Sequence, residues 1–450
     1  MQTIGPSTTE RREYQRRRKR LMKRLGKRSA AIVPAAVEQQ RNHDNPWPFR
    51  QSSDFYYLTG LAEPDALLVL CPKREAGEVV AFVSPRDPER ERWEGPQLGV
   101  ERAPSALGVD QALPIDEIDE RLPDLLRGYA KCYLPFAEHE LVMQALGWFD
   151  ELRRGARAGV QPPQTLKDVT VPLHELRLIK SAHEIDRLRR AAAVSAEAHL
   201  AAARGVHAGL FEFEIAAILQ KVFASAHGEP SFAPIVAGGA NACVLHYRAN
   251  AAELKDGDLV LIDAGAEVDY YAGDITRTWP VSGRFSEPQR ELYQLVLDAQ
   301  VAAIEAIGPG VSFDAPHQAA VRVITDGLVS LGLIDGPVDE AIEEGRYREF
   351  FMHRTGHWLG SDVHDVGRYR VDGEWRELEP GMVMTVEPGI YVDPQSNAPE
   401  AYRGIGIRIE DDVLVTEEGF EVLTREVPKR IDEIEALFAG RRDPASLPLE

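Results

Sequence analysis

Four carboxylates in this 450-residue chain stand beside strongly apolar runs. Asp263 ends Leu259-Val-Leu-Ile, Glu387 follows Val383-Met-Thr-Val, Glu410 ends Ile405-Gly-Ile-Arg-Ile, and Asp274 follows Asp263 with Gly265 and Gly273 between them. A strand that apolar is buried, and a buried carboxylate needs a cation or hydrogen-bond donors. The two glycines suggest a hairpin that aims Asp263 and Asp274 into one cleft, although two aspartates alone would serve equally well as solvated turn acids. Three histidines, His353, His357 and His364, fall within twelve residues flanked by helix-breaking glycines. One histidine there would more often be a packing or surface residue; three beside four such acids point to a site. Four carboxylates with one imidazole carry too much negative charge for one divalent ion and suit two bridged ions about 3.5–4 Å apart. Oxygen-rich ligation with one nitrogen favours Mn, Co, Fe or Zn over copper or thiolate-bound zinc.

The elements that must position these groups repeat. Leu254-Lys-Asp-Gly257-Asp-Leu-Val-Leu-Ile-Asp263-Ala-Gly265 and Leu378-Glu-Pro-Gly381-Met-Val-Met-Thr-Val-Glu387-Pro-Gly389 put a leucine, a glycine, an apolar strand, a carboxylate and a second glycine at identical offsets. That is an internal repeat delivering two acids to one place. Upstream of it the pattern predicts a long amphipathic helix from Glu175 to about Ala203 and a second near Glu212 to Ala226. Strands are expected at Ile235–Ala237, Cys243–Leu245, Asp258–Ile262 and Ile275–Val281. Helices near Pro288 to Ile307 and Phe313 to Leu331 precede the second half, which holds His353 to His364, Met382 to Val386 and Gly406 to Val415. Two halves of paired helices followed by strands fit a pseudo-symmetric α+β domain. Before it, residues from about 30 to 172 mix apolar runs such as Ala66–Cys71 and Val79–Val83 with helical stretches such as Glu138 to Arg154, an α/β pattern. Ala156 to Pro172, with Gly159, Pro162 and Pro163, reads as the linker, giving domains over 1–172 and 173–440.

Bulk properties bound the partners. With 44% hydrophobic and 28% charged residues the chain is globular, and a net charge of -20 argues against nucleic acid. The N-terminal basic cluster, Arg11 to Arg28, reads as a solvated helix face with Leu21, Met22 and Leu25 turned inward. No apolar stretch is long enough for a signal core or a transmembrane helix, so no membrane association and a cytoplasmic location are expected. Cys71, Cys132 and Cys243 are scattered and odd in number, which excludes a disulfide framework; Cys243, close to His246, could sit near the site.

Asp263, Asp274, His357, Glu387 and Glu410 fall on the Asp-Asp-His-Glu-Glu ligand pattern of the pita-bread metallopeptidases. His353-x-x-x-His357-Trp-Leu-Gly-x-Asp-Val-His364-Asp365, Thr385-Val-Glu-Pro-Gly-Ile-Tyr391 and Tyr402-Arg-Gly-Ile-Gly-Ile-Arg-Ile-Glu-Asp411 resemble the bacterial aminopeptidase P branch. Pro48-Phe-Arg-Gln-Ser-Ser-Asp-Phe-Tyr-Tyr-Leu-Thr-Gly60 is similar to the signature of that family's smaller, creatinase-like first domain. Glu175-Leu-Arg-Leu-Ile-Lys-Ser181 is similar to the junction before the catalytic domain.

The resemblance implies hydrolysis of the first bond of Xaa-Pro-Yaa peptides by a hydroxide bridging two divalent ions, usually Mn2+, with Co2+, Zn2+ or Fe2+ as alternatives. Asp263, Asp274 and Glu410 would hold one ion, and His357, Glu387, Glu410 and Asp274 the other. Glu387 would also shuttle the proton to the leaving nitrogen, while His246 and His364 stabilise the substrate carbonyl. His353 would line the proline pocket, with Arg408 and Tyr391 fixing the carboxylates. Trp93 falls where relatives place an aromatic over a neighbouring subunit's active site, and the resemblance implies a homo-oligomer, a tetramer or else a dimer. The rival activity is an Xaa-Pro dipeptidase. Methionine aminopeptidases leave the large first domain unexplained, creatinase-type hydrolases lack this ligand set, and non-catalytic pita-bread binding proteins have typically lost several ligands.

Overall fold

A computed structural model describes residues 5–440, which divide into two compact units between Arg177 and Leu178. The first is a six-stranded mixed sheet in the order Gln111–Pro114, Val79–Val83, Leu67–Leu70, Ser29–Pro34, Lys131–Leu134, Thr165–Asp168. Side-chain alternation along each strand feeds two separate cores, as a sheet covered on both faces requires. Ala31 and Val33 pack on one side with Leu21, Met22 and Leu25, whereas Ala30 and Ile32 pack on the other with Leu122, Leu125, Trp148 and Phe149.

Two details of this unit depart from the sequence reading. The segment expected as a linker is built into the fold: Thr165–Asp168 pairs parallel to Lys131–Leu134 as an edge strand, and the helix Thr170–Arg177 buries Leu173 and Leu176. Pro162 and Pro163 therefore precede an edge strand, where a missing N–H is tolerated. The helix Thr8–Leu25 does turn Leu21, Met22 and Leu25 inward, but Arg17 and Arg18 are also buried. Arg17 donates to the carbonyl of Tyr57, and Arg18 to those of Leu58, Leu107 and Gly108, so part of the basic face is an internal brace.

The second unit is α+β and contains both halves of the repeat. The helices Ala182–Gly205 and Glu212–Ser225 precede the antiparallel sheet Ile235–Gly238, Leu259–Ala264, Ile275–Pro280. Glu287–Glu305 and Ala315–Ser330 precede the sheet Val383–Val386, Asp411–Thr416, Gly419–Val422. The single long helix expected from Glu175 is broken at Ser181, whose hydroxyl caps Glu184 N while the Glu184 carboxylate caps Ser181 N. The strand expected at Cys243–Leu245 is absent; Gly239–Cys243 is a 3-10 turn, and His246 follows it. No helix among the described residues is long and apolar enough to cross a membrane.

Candidate metal centre

The repeat explains how two acids arrive together. Gly257 and Gly381 both adopt positive φ, 86° and 92°, at the turn before each apolar strand, a conformation that favours glycine. Asp263 then lies near the end of Leu259–Ala264, paired with Thr276, and Glu387 directly follows Val383–Val386, which pairs with Asp411–Thr416. The halves join where Glu410 N donates to the Thr276 carbonyl at 3.0 Å. Between Asp263 and Asp274 the chain crosses itself so closely that a Cβ on Gly265 would lie 1.7 Å from the Gly273 carbonyl. A Cβ on Gly356 would meet the Thr385 carbonyl at 2.0 Å, so glycine lets the histidine loop lie against the strand that leads to Glu387.

His357 is held in a defined tautomer. Its Nδ1–H donates to the Trp358 carbonyl at 3.0 Å, which leaves the Nε2 lone pair 3.4 Å from Asp274 Oδ2 and 3.7 Å from Glu387 Oε1. Asp274, His357 and Glu410 each offer one donor atom within 4.8 Å of the others. Glu410 Oε2 accepts the Thr276 hydroxyl at 2.6 Å, while Asp263 Oδ1 and Asp274 Oδ1 are buried with no hydrogen-bond partner among the described residues.

This donor set fits a cation. Burial, then the neighbouring carboxylates, push the Asp274 and Glu410 carboxyl groups far above their usual range. Glu387 is raised mainly by burial, although His357 and Arg408 oppose the shift. Crowding buried carboxyl groups in this way favours their protonated form; a divalent ion would relieve that cost and give the orphaned oxygens a partner.

A hydrogen-bond chain runs from this centre to the cavity wall. Arg408 donates to Asp263 Oδ2 at 2.6 Å and to the Tyr391 hydroxyl at 2.8 Å. Tyr391 in turn donates to His353 Nε2 at 2.9 Å, and His353 Nδ1 donates to the Arg354 carbonyl at 2.8 Å. Burial and the Arg408 charge lower the His353 pKa to about 4, so this imidazole is neutral and its tautomer follows from the chain.

A cavity of about 840 Å³ opens onto the centre and is lined entirely by residues of the second unit. Asp263, Asp274, His357, Glu387 and Glu410 all reach it, as do His246, His353, His364 and Arg408. His364 meets His357 edge to face, with ring centroids 4.3 Å apart. Tyr391 lies behind the wall, buried against Arg408 and His353. Trp93 stands on the helix Arg90–Glu94 of the first unit with 90% of its surface exposed and does not line the cavity. Cys243 bonds the Val392 carbonyl and is not a lining residue; burial pushes its thiol up to about 12.

Several contributors escaped the sequence reading. Asp412 Oδ2 accepts the backbone N–H of Asp274 at 3.2 Å, and Arg277 donates to the carbonyls of Glu410 and Thr276 and to Asp411 Oδ1. Three consecutive acids opening a buried strand, Glu410 to Asp412, were the available signal. Phe313, Tyr369 and Trp375 form an aromatic wall that no short motif announces.

Residues 186–417 match the family model described as metallopeptidase family M24, and residues 14–133 match the model for the aminopeptidase P N-terminal domain. The chain is 46% identical over 443 residues to the Xaa-Pro aminopeptidase of Escherichia coli, covering 97% of this chain and 99% of that protein. Among solved structures, Pseudomonas aeruginosa aminopeptidase PepP matches with a TM-score of 0.94 at 50% identity, covering 97% of this chain and 99% of that one. The zinc-substituted E. coli aminopeptidase P in complex with product matches at 0.93 and 45% identity, covering 98% and 100%.

Proposed function

The chain belongs to metallopeptidase family M24, and we propose that it releases the N-terminal residue from peptides whose second residue is proline. The observation that carries this reading is the convergence of Asp263, Asp274, His357, Glu387 and Glu410 on one cavity. An Xaa-Pro bond is a tertiary amide with no N–H and a fixed ring, so a peptidase that docks an extended backbone through that donor handles it poorly. A site that anchors the free amino terminus and receives the ring does not need the donor.

Two divalent ions, Mn2+ by resemblance with Co2+, Zn2+ or Fe2+ as alternatives, would be held by these five side chains and would supply Lewis-acid polarisation and an acidified water. Glu387 faces the cavity, with Oε2 3.9 Å from His353 Nδ1, and is the group to take the attacking water's proton and return it to the leaving proline nitrogen. His246 and His364 line the same space and donate hydrogen bonds to the scissile carbonyl as its oxygen gains charge. Neutral His353 offers the proline ring a flat wall. Arg408 holds Asp263 and Tyr391 in place and is itself kept charged: burial opposes its charge, but Tyr391, Asp263 and Glu387 outweigh it. A homotetramer and a cytoplasmic location complete the reading and rest on the motif resemblance. The exposure of Trp93 leaves it free to cap a neighbouring subunit's cavity.

The test is cleavage of Ala-Pro-Ala, Ala-Pro and Ala-Ala-Ala by protein stripped of metal and restored with Mn2+, with products read by mass spectrometry. Release of alanine from Ala-Pro-Ala alone is expected, and Glu387→Ala should abolish it. Turnover of Ala-Pro alone would make the protein a dipeptidase, and turnover of Ala-Ala-Ala alone would defeat the proline reading.

A further inference from the structure

We propose that the cavity favours peptides bearing a carboxylate at the residue after proline, and that Arg354 is the side chain that reads it. The inference rests on the Xaa-Pro reading above. Arg354 lines the cavity directly after His353, and its own carbonyl accepts the His353 Nδ1 proton, so its backbone is tied to the hydrogen-bond chain that begins at Asp263. The guanidinium lies over the Trp375 ring, 4.8 Å from its centroid, and is paired with Asp314 through Nη2. The cation–ring contact and the ion pair hold the group at the wall while 44% of its side chain stays exposed. Its other guanidinium nitrogens make no hydrogen bond among the described residues, and a planar fork of that kind suits a carboxylate. Arg248 lines the same cavity, is exposed, and has no ion pair among the described residues.

The cavity therefore presents both signs of charge: the candidate metal centre is a cluster of acids, and Arg354 and Arg248 also line the wall. A short peptide has the complementary polarity, with a cationic amino terminus and an anionic carboxyl terminus. His353 Nδ1 lies 3.9 Å from Glu387 Oε2, and Arg354, which follows His353 in the chain, lines the same cavity. An extended peptide advances about 3.3–3.6 Å per residue, so with the scissile bond at Glu387 and proline at His353, the following residue comes alongside Arg354.

The carboxylate can come from the chain terminus of a tripeptide or from an acidic side chain, and paired substrates separate the two. Ala-Pro-Ala is compared with its amide, and amidated Ala-Pro-Asp with amidated Ala-Pro-Asn. In at least one pair the acid member should have kcat/KM about fivefold higher, the scale of a partly exposed charge pair. Arg354→Gln should bring that ratio close to one, and Asp314→Asn, which removes the competing carboxylate, should raise it. Each ratio is taken within one enzyme preparation, so it does not depend on how much of a variant folds. Ratios near one in both pairs for the unaltered protein, or ratios unchanged in Arg354→Gln, overturn the proposal. Failure to cleave any of the four peptides overturns the activity itself, a separate result.

Discussion

Thr276 donates its hydroxyl to Glu410 Oε2 at 2.6 Å, joining the first half of the repeat to an acid of the second. The Thr276 Oγ1 itself accepts from Arg408 Nε at 3.2 Å, and Thr276 is fully buried. Two of the groups around the centre therefore depend on one hydroxyl for their orientation. Valine has nearly the same shape but offers neither bond.

Thr276→Val should weaken metal binding and peptidase activity together. A buried hydrogen bond to a charged group is worth about 2 kcal/mol, or roughly thirtyfold in an equilibrium constant. Calorimetric titration with Mn2+ and kcat/KM on an Xaa-Pro peptide should both report a loss of that order, with Thr276→Ser close to the unaltered protein. Unchanged metal affinity in the valine variant would remove Thr276 from this role.

Stripping the metal should lower thermal stability as well as activity. The centre gathers carboxyl groups whose burial and mutual repulsion favour protonation, and a bound cation relieves that cost. An ion at a hundred times its Kd stabilises the folded state by about 2.7 kcal/mol. Calorimetric melts before and after chelation, and again after adding Mn2+, should show Tm fall and recover. A stripped protein with undiminished Tm and turnover would contradict the metal assignment.

The candidate site was more legible in the sequence than the framework around it, for a physical reason. Asp263 and Glu387 were visible because a carboxylate beside a buried strand is costly wherever it occurs, and the two glycine turns repeat at fixed offsets. The burial of Arg17 and Arg18 was not visible, since their acceptors are backbone carbonyls at Tyr57, Leu58, Leu107 and Gly108, which carry no side-chain signature. The residues Cys243–Leu245 have the composition of a strand, yet local turns prevail there. Arg277 and Asp412 act through long-range bonds to the backbone of Glu410 and Asp274, and single-sequence periodicity does not encode such pairings.

The first unit carries its own acid-sensitive contact. Asp54 accepts from Arg177 Nη1 at 2.7 Å and pairs with His174 Nε2 at 3.0 Å. Burial alone would raise its pKa, but Arg177 and His174 prevail and bring it from 3.8 down to about 2. A carboxylate depressed in the folded state stabilises above its unfolded value and loses that contribution as pH falls through the folded one. The linkage is about 2 kcal/mol. Asp54→Asn should therefore be less stable by about that amount near neutral pH, with the gap closing between about pH 4 and pH 2. Denaturant midpoints of both proteins over that range are the measurement, and a gap independent of pH would refute it.

Lys180 and Asp365 form a buried ion pair inside the second unit, Nζ to Oδ2 at 3.0 Å, with both side chains 1% exposed. Lys180 N also donates to the Gly381 carbonyl, and Asp365 N to that of Trp358, so the pair ties the repeat turn to the histidine loop. Burying two charges costs nearly what their attraction returns, but removing one partner takes away the attraction that offsets the burial of the other. Lys180→Met alone should cost about 3–5 kcal/mol. The double variant Lys180→Met, Asp365→Leu should recover much of that loss, because the buried carboxylate goes with its cation. Urea denaturation of the four members of this cycle gives the coupling energy. If the single and double variants are equally unstable, the pair is not what holds the loop, and the backbone bonds at Gly381 and Trp358 carry it instead.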